Sequence, residues 1–176
     1  MDGRLLLGAL AVCALTAGAP TDAPASPDDT RRAVAAVIDG LHAAASKADE
    51  SKYFAYFAPD GVFVGTDATE IWSVEAFRAY AHPHFSKGQG WTYVPRPDRR
   101  VRLGADGRTA WFYETLDHAK YGVLRGSGVL VLLDGQWRVA QYVLSFAVPN
   151  DKAAAALEAM GFGAGMGEGP GAVKAR

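Results

Sequence analysis

The chain has 176 residues, 49% of them hydrophobic and 21% charged, the composition of one globular domain and not of a disordered or fibrous chain. Lys and Arg number 18 against 19 Asp and Glu, a formal net charge of -1. No large single-sign field exists to hold nucleic acid, and nucleic-acid binding is set aside.

The first residues, MDGRLLLGALAVCALTAGAPTDAPAS, run from one Arg through an apolar stretch, Leu5 to Ala17, into small residues and prolines. That stretch is too short to remain as a membrane-spanning helix, and the order is that of a secretory signal. Residues 1–25 therefore read as a signal peptide cut after Ala25, giving an exported, periplasmic or extracellular protein with no stable transmembrane segment. A second reading uses Cys13, because LAVC resembles a lipobox; Val12 stands where that motif takes Gly, Ala or Ser, and simple export is preferred. Cys13 is the only cysteine, so the mature domain has neither disulfide nor thiol nucleophile.

From Thr30, the spacing of Val34, Val37, Ile38, Leu41 and Ala45 predicts a helix, with Asp28 and Asp29 as candidate caps. SKYFAYF suggests a short second helix, and APDG, Ala58 to Gly61, a turn. VFVGTD and EIW read as two short strands. Ser73 can cap a third helix carrying Val74, Phe77, Tyr80 and Ala81, which Pro83 should disturb near Ala81 to His82. Strands follow at Trp91 to Leu103, Thr109 to Ala119, Val123 to Leu133 and Gln136 to Val148, separated by the turn signals ADGR, KYG and DG. With no helix between them, these strands pair antiparallel most simply, giving an α+β fold with helices on one sheet face. A short helix at 152–160 and a Gly-rich tail at 161–176 close the chain. In Thr109 to Asp117 both alternating phases carry large apolar groups, so both sheet faces read as covered, one of them by a second copy in a homodimer.

This order of elements resembles the nuclear transport factor 2-like superfamily, and within it the SnoaL-like domains, over about residues 30–151. The pieces that carry the likeness are FVGTDATEIW, AWFYE, RGSGVLV and GQWRVAQYVLSFAVPND. The resemblance implies a cone-shaped curved antiparallel sheet packed on N-terminal helices, a pocket between them, and dimerisation through the outer sheet face. It does not give the function, since the superfamily includes cyclases, isomerases, dehydratases and noncatalytic domains. It also implies an Asn in the AQYxLS stretch, where this chain has Val143, and no Asp/His dyad or Tyr and Asp pair stands at an identifiable position.

A two-residue loop at Asp134 and Gly135 would set Gln141 opposite Gly128 and Val143 opposite Gly126. The two glycines then either leave space for a ligand beside Gln141 or accommodate a bulge. Glu114 would lie diagonal to Arg125 with a two-residue loop at Lys120 and Tyr121; a change of one loop residue moves it to the glycine face. It is then either a salt-bridged strand residue or a carboxylate in an apolar cavity, where desolvation would raise its pKa for acid–base work and a nearby Arg would keep it ionised for binding. The candidate site is Glu114 as catalytic residue, Arg125 and Gln141 as polar ligand contacts, and Trp72, Tyr93 and Tyr56 as walls around a small organic molecule. RPDRRVR, Arg96 to Arg102, reads as a solvated strand edge. His82, His84 and His118 show no ligand spacing, and neither metal nor cofactor is expected.

Overall fold

The computed structural model describes residues 26–162. The signal-peptide and Cys13 readings, and nearly all of the tail, lie outside the described residues. Helix α1 spans Pro27–Ser46 and α2 Glu50–Ala55, followed by strands β1, Phe57–Val64, and β2, Ile71–Ser73, and by α3, Val74–Phe85. Strands β3, Val94–Pro95, β4, Arg100–Leu103, β5, Thr109–His118, β6, Gly122–Leu133, and β7, Gln136–Phe146, then precede a single 3-10 turn, Asn150–Lys152, and α4, Ala153–Ala159.

The cap of α1 is Ser26, not Asp28 or Asp29: its hydroxyl accepts the Asp29 N–H at 3.1 Å, and Pro27 occupies the first position, where its missing N–H costs nothing. Ser73 caps α3 as expected, accepting from Ala76 N–H at 3.2 Å. Pro83 does not break that helix. It sits exposed within the last turn, so one N–H is lost there while buried Ala81 and Phe85 hold the turn against the core.

The curved, open sheet runs β2-β1-β7-β6-β5-β3, with β4 also on the β5 edge. Its pairs are antiparallel apart from β1, which lies parallel to β7. The β6–β7 turn is the two-residue loop expected of Asp134 and Gly135, both at positive φ (48° and 75°), which matches the twist of a hairpin. Leu133 therefore faces Gln136, but the register slips between Val129 and Leu130, where Ala140 is an extra residue on β7. Beyond this bulge Tyr142, not Gln141, lies opposite Gly128, and Leu144 opposite Gly126.

The core forms where the inner sheet face meets α1, α2 and α3. Val34, Ile38 and Leu41 from α1 and Phe77 from α3 bury against Leu116 and Leu130. The opposite sheet face carries Trp111 and Tyr113, 45% and 49% exposed, and the described residues leave it uncovered. Among the described residues no helix is long and apolar enough to cross a membrane.

Candidate functional site

Glu114 lies on the inner phase of β5 with Ala110, Phe112 and Leu116, and it is only 1% exposed. The loop between β5 and β6 has three residues, Ala119 to Tyr121, because His118 pairs with Gly122. Locally, His118 Nδ1 accepts the N–H groups of Lys120 and Tyr121, each at 3.2 Å, and Gly122 takes φ 70°. That extra residue sets Glu114 opposite Gly126, on the glycine face. The glycines make room for groups of the protein itself, side chains at Gly126 and chiefly backbone at Gly128. A Cβ on Gly126 would stand 2.5 Å from the Tyr142 hydroxyl and 2.9 Å from Glu114 Oε1, and one on Gly128 would meet the Gln141 carbonyl at 2.2 Å.

Three side chains donate to the buried carboxylate. His42 Nε2 reaches Oε1 at 2.8 Å, the Tyr142 hydroxyl reaches the same oxygen at 3.3 Å, and Arg99 Nε reaches Oε2 at 2.8 Å. Burial pushes the Glu114 carboxyl up, but the hydrogen bonds and charges of His42 and Arg99 outweigh it and hold the group below its ordinary value. Glu114 is therefore an ionised carboxylate that only accepts, which assigns the proton to Nε2 of His42 and leaves Nδ1 as the other ring site. The raised pKa expected of a carboxyl in an apolar cavity does not arise, because burial came with three donors. Arg99 is anchored in turn by Asp39 Oδ1 at 2.6 Å and the Ala35 carbonyl at 3.4 Å, both on α1. Burial also pushes the Tyr142 phenol well up, with the Glu114 charge adding to it, so this hydroxyl stays a donor.

A cavity of about 580 Å³ opens beside this network, between β2, α3, the segment before β3, and the β5–β6 loop. Trp72 and Tyr93 line it. One flank is a run of near-parallel rings: Tyr80 on Trp72 (4.8 Å, 21°), Trp72 on Phe77 (5.4 Å, 8°) and Phe77 on Phe63 (4.0 Å, 16°). Phe63 then stacks on Tyr142 at 5.6 Å, which joins the cavity wall to the Glu114 network. His42 borders a hollow of only about 10 Å³, whose walls Phe63, Trp91, Tyr93 and Leu144 are shared with the large cavity. These side chains stand between the carboxylate network and the open space.

The remaining expected contacts fall elsewhere. Arg125 is exposed and pairs across the sheet with Thr115 and Ser145, so it neither meets Glu114 nor borders the cavity. The three-residue loop moved it to the outer phase. Gln141 is exposed on that same phase opposite Val129, put there by the bulge at Ala140, and Val143 lies beside it opposite Ser127. Tyr56 packs on Gly40 of α1, where a Cβ would stand 2.1 Å from its hydroxyl, and does not line the cavity. The stretch Arg96 to Arg102 is not uniformly solvated, since the Arg99 side chain is only 13% exposed. His42, Arg99, Asp39 and Tyr142 were missed by the sequence reading. Only His42 left a signal, since it falls on the buried stripe of α1 with Ile38, Leu41 and Ala45.

The mixed α+β architecture, with its curved sheet and N-terminal helices, is that of the nuclear transport factor 2-like superfamily. Residues 34–149 match the model of the SnoaL-like domain family, and the chain belongs to that family. Among solved structures it is similar to a nuclear transport factor 2-like protein from Streptomyces avermitilis provisionally named a dehydratase, with TM-score 0.59, 12% identity, and 70% of this chain and 100% of that one covered. A Novosphingobium aromaticivorans protein provisionally named an aromatic ring hydroxylase gives TM-score 0.59, 16% identity, and 71% and 94% coverage. A Xanthomonas campestris protein provisionally named a calcium/calmodulin-dependent protein kinase II association domain gives TM-score 0.51, 28% identity, and 72% and 92% coverage. At the two lower identities the likeness is one of fold. No match is found among curated proteins.

Proposed function

We propose that this chain is an exported SnoaL-like domain that binds a small organic molecule in the cavity beside Trp72 and Tyr93, and that it works as a homodimer through its outer sheet face. The observation that carries the binding reading is the cavity: about 580 Å³, within the roughly 300–1,000 Å³ typical of ligand pockets. Its lining is more mixed than a purely apolar pocket, since Thr66, Gln89 and Thr92 join the aromatic rings. In this reading Glu114 is structural. It ties β5 to α1 through His42 and, through Arg99, to Asp39, and so fixes the inner wall of the site.

Proton-transfer chemistry on a carbonyl substrate is the competing reading. The dehydratase and hydroxylase names of two structural neighbours lend it only a parallel of fold. An acid or base must reach the proton it moves, whereas Glu114 is enclosed, ionised and engaged by three donors.

The test is a small-molecule screen read by thermal shift and by the fluorescence of Trp72 and Trp91. The control is Thr92→Trp, which adds bulk at an exposed lining position. Hits that Thr92→Trp abolishes support the reading. A screen with no such hit sinks it and leaves a noncatalytic interaction domain. Intact mass of protein made with its own N-terminal segment tests export, which fails if residues 1–25 remain attached.

A further inference from the structure

We infer that the ligand of this cavity is an organic cation of the substituted-ammonium class; the inference rests on the reading of the cavity as a ligand site. Charge is the first argument. Of the described residues lining the cavity, Glu70 is the one carboxylate, and neither Lys nor Arg is among them. Glu70 Oε2 accepts the Asp67 N–H at 3.2 Å, while Oε1 makes no hydrogen bond among the described residues. The carboxylate sits at the end of the β1–β2 loop, held there by backbone bonds between Gly65 and Glu70 and between Glu70 and Asp67. A ligand anion would meet this carboxylate, whereas a cation would find its counter-charge in place.

The rings are the second argument. Trp72, Tyr80, Trp91 and Tyr93 all line the cavity, and these residue types attract cations to their faces most strongly when the ion is shielded from water. Trp72 is stacked between Tyr80 at 4.8 Å and Phe77 at 5.4 Å, so its faces are taken and the rings left to meet a cation are Tyr80, Trp91 and Tyr93. Tyr121 also lines the cavity, but Lys120 already lies over its ring at 5.1 Å and takes that face. The Tyr93 phenol remains an uncharged donor and acceptor: burial, with Tyr121, Tyr80 and Glu70 nearby, pushes it up to about 12. The imidazoles of His84 and His118 line the same space.

The test compares three probes of similar size by calorimetry at about pH 8, where imidazole side chains are ordinarily neutral: benzyltrimethylammonium, its uncharged counterpart neopentylbenzene, and phenylacetate. The expected result is binding of benzyltrimethylammonium about ten-fold or more tighter than neopentylbenzene, with phenylacetate weakest. Glu70→Gln, on a loop outside the core, should weaken the cation by about ten-fold and leave the neutral probe unchanged. Thr92→Trp should abolish both. Equal or tighter binding of neopentylbenzene or phenylacetate overturns the cation assignment and leaves the ligand cavity standing. Cation binding that survives Glu70→Gln or Thr92→Trp unchanged overturns it as well. If no probe binds, the assignment fails, and the broader screen then decides whether the cavity reading fails with it.

Discussion

Replacing Glu114 by Gln keeps the volume of the side chain and removes its charge. The amide retains one acceptor oxygen but must present an NH2 group either to Arg99 Nε or to His42 Nε2 and the Tyr142 hydroxyl, all of which now donate. Breaking a buried ion pair from one side costs about 3–5 kcal/mol. Arg99 keeps Asp39 at 2.6 Å, and that carboxylate side chain is 64% exposed, so part of the charge remains compensated. A loss of about 2–4 kcal/mol follows, or roughly 5–15 °C in Tm for a chain of this size. The pH dependence has a definite sign. The folded-state pKa of Glu114 lies below its unfolded value, so its contribution is fully present above the unfolded value, about 4.3, and is lost as pH falls through the lower, folded one. Urea melts followed by tryptophan fluorescence should show the full gap between parent and variant at neutral pH and a shrinking gap in acid. A variant as stable as the parent at neutral pH, or a gap that does not diminish in acid, would refute the ionised network. An acid–base catalyst would instead keep its stability and lose turnover.

Two further perturbations probe the sheet. Gly126→Ala places a methyl group 2.5 Å from the Tyr142 hydroxyl and 2.9 Å from Glu114 Oε1, so overpacking should cost about 1–3 kcal/mol; an unchanged urea midpoint would mean that the network yields without strain. On the outer face, Trp111→Glu puts a charge where the proposed partner copy would pack, and light scattering should show the dimer mass falling to that of a monomer. A parent that is already monomeric ends the outer-face dimer proposal.

Much of the fold could be read from the chain because its signals are local. Helical spacing from Val34 to Ala45 needs only neighbouring residues, and so do the Ser73 cap and the Asp134-Gly135 turn, since each is decided by the φ, ψ and hydrogen-bonding preferences of a few groups. Trp72 and Tyr93 were legible as cavity walls only through the family resemblance, which supplied a place for the pocket that composition alone does not.

The site depended on two single-residue events. Strand side chains alternate with period two, so one residue more or less in a loop or ladder carries a side chain to the opposite face. The third residue of the β5–β6 loop brought Glu114 inward and left Arg125 outside, and the Ala140 bulge exchanged Gln141 for Tyr142. The partners of Glu114 are more distant still, since His42 precedes it by 72 residues and Arg99 is bound to Asp39 across 60. By itself the sequence determined most of the helices, strands and turns, because those choices are made within a few residues, although Ala58–Gly61, expected as a turn, lies within β1 and the strand expected over Trp91 to Leu103 is reduced to β3 and β4. Tertiary structure alone decided the face and partners of the central carboxylate, because contacts across the core are set by how the elements pack and not by any pattern along the chain.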